Sequence, residues 1–171
     1  IDRLRTDAST SPVVEGWRRT LRRAGVLDYP GLLDVATELL SAGHAVRSVR
    51  RRYDHVIVDE AQNLTAAQYQ LLEALLGPGP EPRLGALLAG DPDQSIVGFA
   101  GGSPQWMKTF REQFRAQVFT LSANYRSARA LVAVAERVRR RQTGNFEVPH
   151  PAPGRVELRV AETQADEARL I

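Results

Sequence analysis

The stretch YDHVIVDE, residues 53 to 60, decides the fold: three consecutive apolar residues, Val56, Ile57 and Val58, run directly into two carboxylates, Asp59 and Glu60. A short unbroken apolar run predicts a strand of a parallel sheet, covered on both faces. A helix signal follows it. Thr65 and Gln68 have the spacing of a capping box, and AAQYQLLEALL (66–76) is stopped by GPGPEP (77–82).

The same unit recurs along the chain. RLGALLAGD (83–91) reads as a second buried strand ending in a carboxylate, Asp91, followed by a loop and a helix opened by Ser103 and Pro104. QVFTLSANYRS (117–127) reads as a third strand, leading to the helix ARALVAVAERVRRRQ (128–142), which stops near Gly144. Upstream, SPVVEGWRRTLRRAG (11–25) and YPGLLDVATELLSAG (29–43) each carry proline near the start and glycine at the end, the punctuation of two helices. Downstream, RVELRVAE (155–162) places Val156, Leu158 and Val160 on one face of a strand, and TQADEARLI (163–171) begins another helix. Strands alternating with helices predict an α/β fold with a mainly parallel sheet flanked by helices.

Composition narrows the function classes. With 43% hydrophobic residues, 171 residues can bury a substantial core. No run reaches the roughly eighteen apolar residues of a membrane span, and IDRLRTDAST at the N-terminus lacks a signal-peptide core, so a cytoplasmic setting without membrane is the default expectation. The absence of cysteine excludes disulfides, thiolate zinc sites and cysteine nucleophiles. Of 23 basic residues one, Lys108, is lysine and the other 22 are arginine, whose planar fork suits phosphate; this is compatible with nucleotide or nucleic acid as partner class and equally with a bias of genome base composition. The clusters RRTLRR (18–23), RSVRRR (47–52) and RVRRR (137–141) read as solvated helix faces, and Trp17 and Trp106 as core packing. His44, His55 and His150 are scattered without metal-ligand spacing and receive no role.

Ligands of open α/β sheets bind beyond the carboxyl ends of the strands. Asp59, Glu60 and Asp91 fall at those ends and Arg126 just after the third. Charges there predict a bound cation and an attacking water, the plainer alternative being that the acidic pair caps the following helix. AGDPDQSIVGFAGGSP (89–104) adds an amide, Gln94, and an aromatic, Phe99. Two carboxylates, an amide and an arginine are the parts phosphoryl transfer requires. A phosphate loop G-x-x-x-x-G-K-[ST] is absent: the one lysine lies in GSPQWMKT (102–109), where Met107 stands in place of the required glycine and where a capped helix with Trp106 and Phe110 toward a core is the better reading.

VIVDEAQ (56–62), GDPDQSIVGF (90–99) and LSANYRS (121–127), at these separations, resemble the UvrD/Rep (PcrA-like) group of superfamily 1 DNA helicases. The resemblance covers about residues 50 to 130, with weaker family character in LDYPGLLDVATELL (27–40) and ADEARLI (165–171). It implies a partial RecA-like first motor domain of the P-loop NTPase type over residues 1–116, with a helical lead-in over 1–52, and the start of a second RecA-like domain over 117–171. It implies ATP and Mg2+ as cofactors and single-stranded DNA as partner, with further protein partners in repair. Asp59 would hold magnesium, Glu60 would polarise the attacking water beside it, Gln94 would sense the γ-phosphate, Phe99 would stack on a base, Arg126 would act as an arginine finger, and Tyr125 would lie near adenine. The family's phosphate loop lies upstream of all these motifs, so the chain is expected to be an incomplete motor without ATPase activity of its own. Three positions depart from the family pattern: Asn63 for aspartate, Val97 for tyrosine and Ala100 for arginine. The last two remove a ring and a charge near the expected DNA contact, which leaves open a degenerate, non-catalytic motor subunit; a helicase joined to a nuclease is a narrower variant of the catalytic reading.

Overall fold

The computed structural model describes residues 11–43, 45–80, 82–139, 148–149 and 152–170. Gly144, His44, His150 and the end of the third arginine cluster, on which some of the expectations above fall, lie outside the described residues. The chain divides into two compact units, Ile1–Val118 and Phe119–Ile171.

The first unit opens with α1 (Pro12–Ala24) and α2 (Tyr29–Ser41). Pro12 occupies the first turn of α1, and Gly25 closes it in the left-handed conformation at φ 66°, where a side chain would be strained. Ser11 stands at the N-cap position without a side-chain cap bond. Asp28 caps α2 instead, its carboxylate accepting from the Gly31 N–H at 2.7 Å and from the Trp17 indole N–H at 3.1 Å. Trp17 therefore latches the α1–α2 connection and, at 46% exposure, is not a core residue as the sequence suggested.

A short helix, α3 (Val46–Arg52), leads into β1 (His55–Val58); α4 (Ala66–Leu76) crosses over to β2 (Gly85–Leu88), and α5 (Gln105–Phe114) ends the unit's regular structure. The two strands pair in parallel, His55 opposite Gly85 through Val58 opposite Leu88. The crossover helix has the capping box its sequence predicts, with the Thr65 N–H donating to Gln68 Oε1 at 2.9 Å and the Gln68 N–H to Thr65 Oγ1 at 3.3 Å.

One face of the sheet carries the core. Val56, Val58, Ala86 and Leu88 pack on Ala61, Leu64, Tyr69, Leu72, Leu76, Leu84, Phe110 and Phe114. Trp106 stacks on Tyr69 with ring centroids 4.9 Å apart, which confirms GSPQWMKT as a helix turned toward the core. Burial, and secondarily the charge of Glu73, pushes the Tyr69 hydroxyl pKa up to about 12. The hydroxyl donates to Gln113 Oε1 at 2.8 Å, while the Gln113 amide donates to Glu73 at 2.6 Å and ties α4 to α5. Leu76 is fully buried in this cluster, so Leu76→Ala is expected to lower unfolding stability by about 2–5 kcal/mol in chemical denaturation. A loss below about 1 kcal/mol would mean that the site collapses around the smaller side chain.

Several expectations are corrected. The strands are not covered on both faces: Ile57 is 69% exposed and its register partner Leu87 54%, so the apolar run alternates between a packed and an open face. Residues 117–127 and 155–162 carry apolar patterns suited to strands, but among the described residues they form no strand, and only Ala123 carries an isolated bridge. Strand propensity is satisfied only by a neighbour that takes up the backbone N–H and C=O groups, and a sequence window does not encode that neighbour. Arg50 is not part of a solvated face either. Its guanidinium donates to the carbonyls of Leu75 at 2.9 Å and Ala74 at 3.4 Å, satisfying the last turn of α4, and burial, followed by the nearby charge of Arg83, lowers its pKa. The second unit contains α6 (Arg129–Arg139) and α7 (Gln164–Leu170).

Candidate nucleotide-hydrolysis site

The parallel register brings the carboxyl ends of β1 and β2 side by side, and the chain leaves both strands in hydrogen-bonded contact. The Ala89 N–H donates to Val58 O at 2.8 Å, and the Ala61 N–H to Ala89 O at 2.9 Å. Asp59 and Glu60 follow β1 directly, both exposed. A burial penalty therefore does not mark this pair. Backbone strain does: Glu60 sits in the left-handed region at φ 52° and ψ 38°, one of two non-glycine residues with positive φ among the described residues. Such a conformation costs on the order of 1–3 kcal/mol and persists only where the surroundings enforce it.

The enforcing bonds are specific. The Glu60 N–H donates to Asp59 Oδ1 at 2.9 Å, and Glu60 Oε2 accepts from the Gln62 amide at 2.7 Å. Gln62, within the single turn Ala61–Asn63, is 1% exposed, and its Oε1 accepts from the Asp91 N–H at 3.1 Å. Asp91 in turn accepts from the Asp93 N–H at 3.0 Å and from the Gln94 amide at 2.9 Å, while Ser95 Oγ donates to Gln62 O at 3.3 Å. Asp59, Glu60 and Gln94 are thus parts of one hydrogen-bonded assembly with Asp91 at its centre. Glu60 makes no side-chain cap bond to the turn that follows it, and Thr65 caps α4, so the plainer helix-capping reading of the acidic pair fails.

Gln62 is the residue of this assembly that sequence reasoning missed. Only its place inside VIVDEAQ pointed to it, and an amide on an otherwise apolar turn gives no periodic signal. Gly90 fits the same account: a Cβ there would collide with Gln62 Oε1 and lie 3.0 Å from the Ala61 nitrogen, so the close crossing requires glycine.

Phe99 stands further along the same loop, in the turn Gly98–Ala100, and is 70% exposed. Beside Ala100 and Gly101 opens a cavity of about 510 Å3 that also involves Arg18, Tyr29, Asp34 and Gln68. Tyr29, at the start of α2, is 88% exposed. Val97 and Ala100 supply neither ring nor charge there.

Tyr125 and Arg126 belong to the second unit, where both are exposed. Asn124 Oδ1 accepts from the N–H groups of Arg126 at 3.1 Å and Ser127 at 2.9 Å, a side-chain turn that fixes the backbone carrying the guanidinium. Among the described residues no group of three or more histidines or carboxylates is arranged to hold a metal. A pair of exposed carboxylates suits magnesium, which takes one or two carboxylates and fills its shell with water and substrate phosphate.

An α/β unit with acidic residues at one parallel strand end, hydrogen-bonded to an amide-bearing loop at the next, defines the class. The chain belongs to the UvrD/REP helicase family: the profile of the UvrD/REP helicase N-terminal domain matches residues 3–115. It is 32% identical over 172 aligned positions to the ATP-dependent DNA helicase UvrD1 of Mycobacterium tuberculosis, covering 95% of this chain and 22% of that protein. It is 29% identical to DNA helicase II of Salmonella typhimurium and 28% to DNA helicase II of Escherichia coli, each time over 94% of this chain and 24% of the relative. The chain thus spans about a quarter of the length of these relatives. No helix among the described residues is long and apolar enough to cross a membrane.

Proposed function

We propose that the chain is part of an ATP-driven DNA translocase, its first unit contributing to a RecA-like motor domain and its second unit beginning another. The observation that carries this reading is the hydrogen-bonded run from Glu60 through Gln62 and Asp91 to Gln94, which joins a water-activating carboxylate to a phosphate-sensing amide. Asp59, with Glu60 beside it, would hold Mg2+, which would supply positive charge against that of the transferred phosphoryl group. Glu60 keeps one carboxylate oxygen on Gln62 and uses the other to orient the attacking water and take its proton. Gln94 has two amide hydrogens; one rests on Asp91, and the second serves the γ-phosphate. Arg126 supplies a cation for the transition-state charge, and Tyr125 packs by the adenine. The 171 residues contain no G-x-x-x-x-G-K-[ST] stretch, and the chain by itself is expected to show no ATP turnover.

Phe99, next in sequence to the pocket-lining Ala100, contacts single-stranded DNA. Phe99→Ala is expected to weaken single-strand binding by about 1–3 kcal/mol, measured by fluorescence anisotropy, with DNA-free ATP turnover unchanged. Unaltered affinity would remove Phe99 from the DNA contact.

Asn63, Val97 and Ala100 favour a second reading, a degenerate motor subunit that binds DNA or a partner protein without productive turnover. Strand separation by the full-length protein discriminates the two. ATP-dependent unwinding of a tailed duplex supports the translocase, whereas DNA binding with neither unwinding nor ATP turnover supports the non-catalytic subunit.

A further inference from the structure

A buried glutamine is costly unless both ends of its amide are satisfied, and Gln62 has both satisfied by groups that matter to the proposed reaction. Its Nε2 holds the Glu60 carboxylate at 2.7 Å, and its Oε1 holds the Asp91 N–H at 3.1 Å. Its own carbonyl accepts from Ser95, and Gly90 provides the room in which the amide crosses from one strand end to the other. The side chain is 1% exposed, so water does not compete for either bond. On the Asp91 side, the carboxylate holds the Gln94 amide at 2.9 Å.

We propose that Gln62 is a positioning residue that couples the water-activating carboxylate to the loop bearing Gln94 and Phe99. This rests on the ATPase reading above. A displacement of the Asp91–Phe99 loop by DNA or by γ-phosphate moves the Asp91 N–H, and through the rigid Gln62 amide it re-aims the Glu60 carboxylate. Gln62 thereby sets whether Glu60 is aligned on its water, and it makes that alignment depend on what the loop has bound.

The test compares the full-length wild type with Gln62→Met, which keeps volume but makes neither bond, and with Gln62→Glu. The glutamate keeps an acceptor for the Asp91 N–H but sets a carboxylate oxygen against Glu60. Both variants are expected to lose about 100-fold in kcat. KM for ATP should stay within about twofold, and stimulation by single-stranded DNA should fall to near unity. A merely structural glutamine predicts otherwise: in both variants turnover falls only in proportion to the folded fraction, and the DNA stimulation ratio is kept. If Gln62→Met fails to fold, Gln62→Glu alone decides between these outcomes. An active wild type with both variants keeping kcat and stimulation overturns the role of Gln62 while leaving the ATPase reading intact. A wild type without ATP turnover overturns both.

Discussion

Glu60→Gln in the full-length protein is expected to lower ATP turnover by roughly a hundred- to ten-thousandfold while ATP binding stays within a few-fold of wild type. The substitution keeps size and hydrogen-bonding reach but removes the oxygen that accepts a proton from water. The residue is suited to that role by geometry: its backbone is held in the left-handed region by bonds from its own N–H and from Ala61, and its side chain is oriented by Gln62. Because glutamine has the same backbone preferences, the variant should fold normally and accumulate in the ATP-bound form, as read by filter binding of radiolabelled ATP. Retention of wild-type turnover would remove Glu60 from the chemistry.

Arg126→Ala is expected to cost about a thousandfold or more in kcat, since a positioned arginine acts on charge that develops only in the transition state. Arg126→Lys should recover little of this, because an ammonium lacks the planar fork that meets two phosphoryl oxygens at once. The backbone under Arg126 is prepared by Asn124, so Asn124→Ala should give a milder loss in the same direction. A kcat that survives Arg126→Ala, measured in steady state with saturating single-stranded DNA, would assign the second unit no part in catalysis.

The sequence carried the first unit well because its signals there are local. Apolar runs ending at Asp59 and Asp91, the Thr65–Gln68 box and the prolines at helix starts each act over a few residues, and each produced the element it predicts. Tertiary pairing was harder to read. The segments 117–127 and 155–162 have apolar patterns for strands, yet a ladder depends on a neighbour that lies elsewhere in the sequence, and only an isolated bridge at Ala123 forms. Exposure of Ile57 and Leu87 likewise depends on what covers the sheet, and three consecutive apolar residues read the same whether one face or two are packed. At the candidate site, Asp59, Glu60 and Asp91 follow the two strands as the sequence placed them, whereas the strand expected before Arg126 does not form among the described residues. Gln62 and Gly90 were not legible in the sequence, since a buried amide bridge between two loops exists only once β1 and β2 lie in register. Arg50 was hidden for a similar reason: the same arginine run supplies solvated side chains and one that closes the end of α4.

Steady-state ATP hydrolysis by the full-length protein, measured in magnesium with and without single-stranded DNA, tests most directly whether this acidic strand end belongs to a DNA-driven motor. Magnesium-dependent turnover that rises several-fold or more on adding single-stranded DNA is the predicted result. DNA binding without hydrolysis under any of these conditions would contradict it.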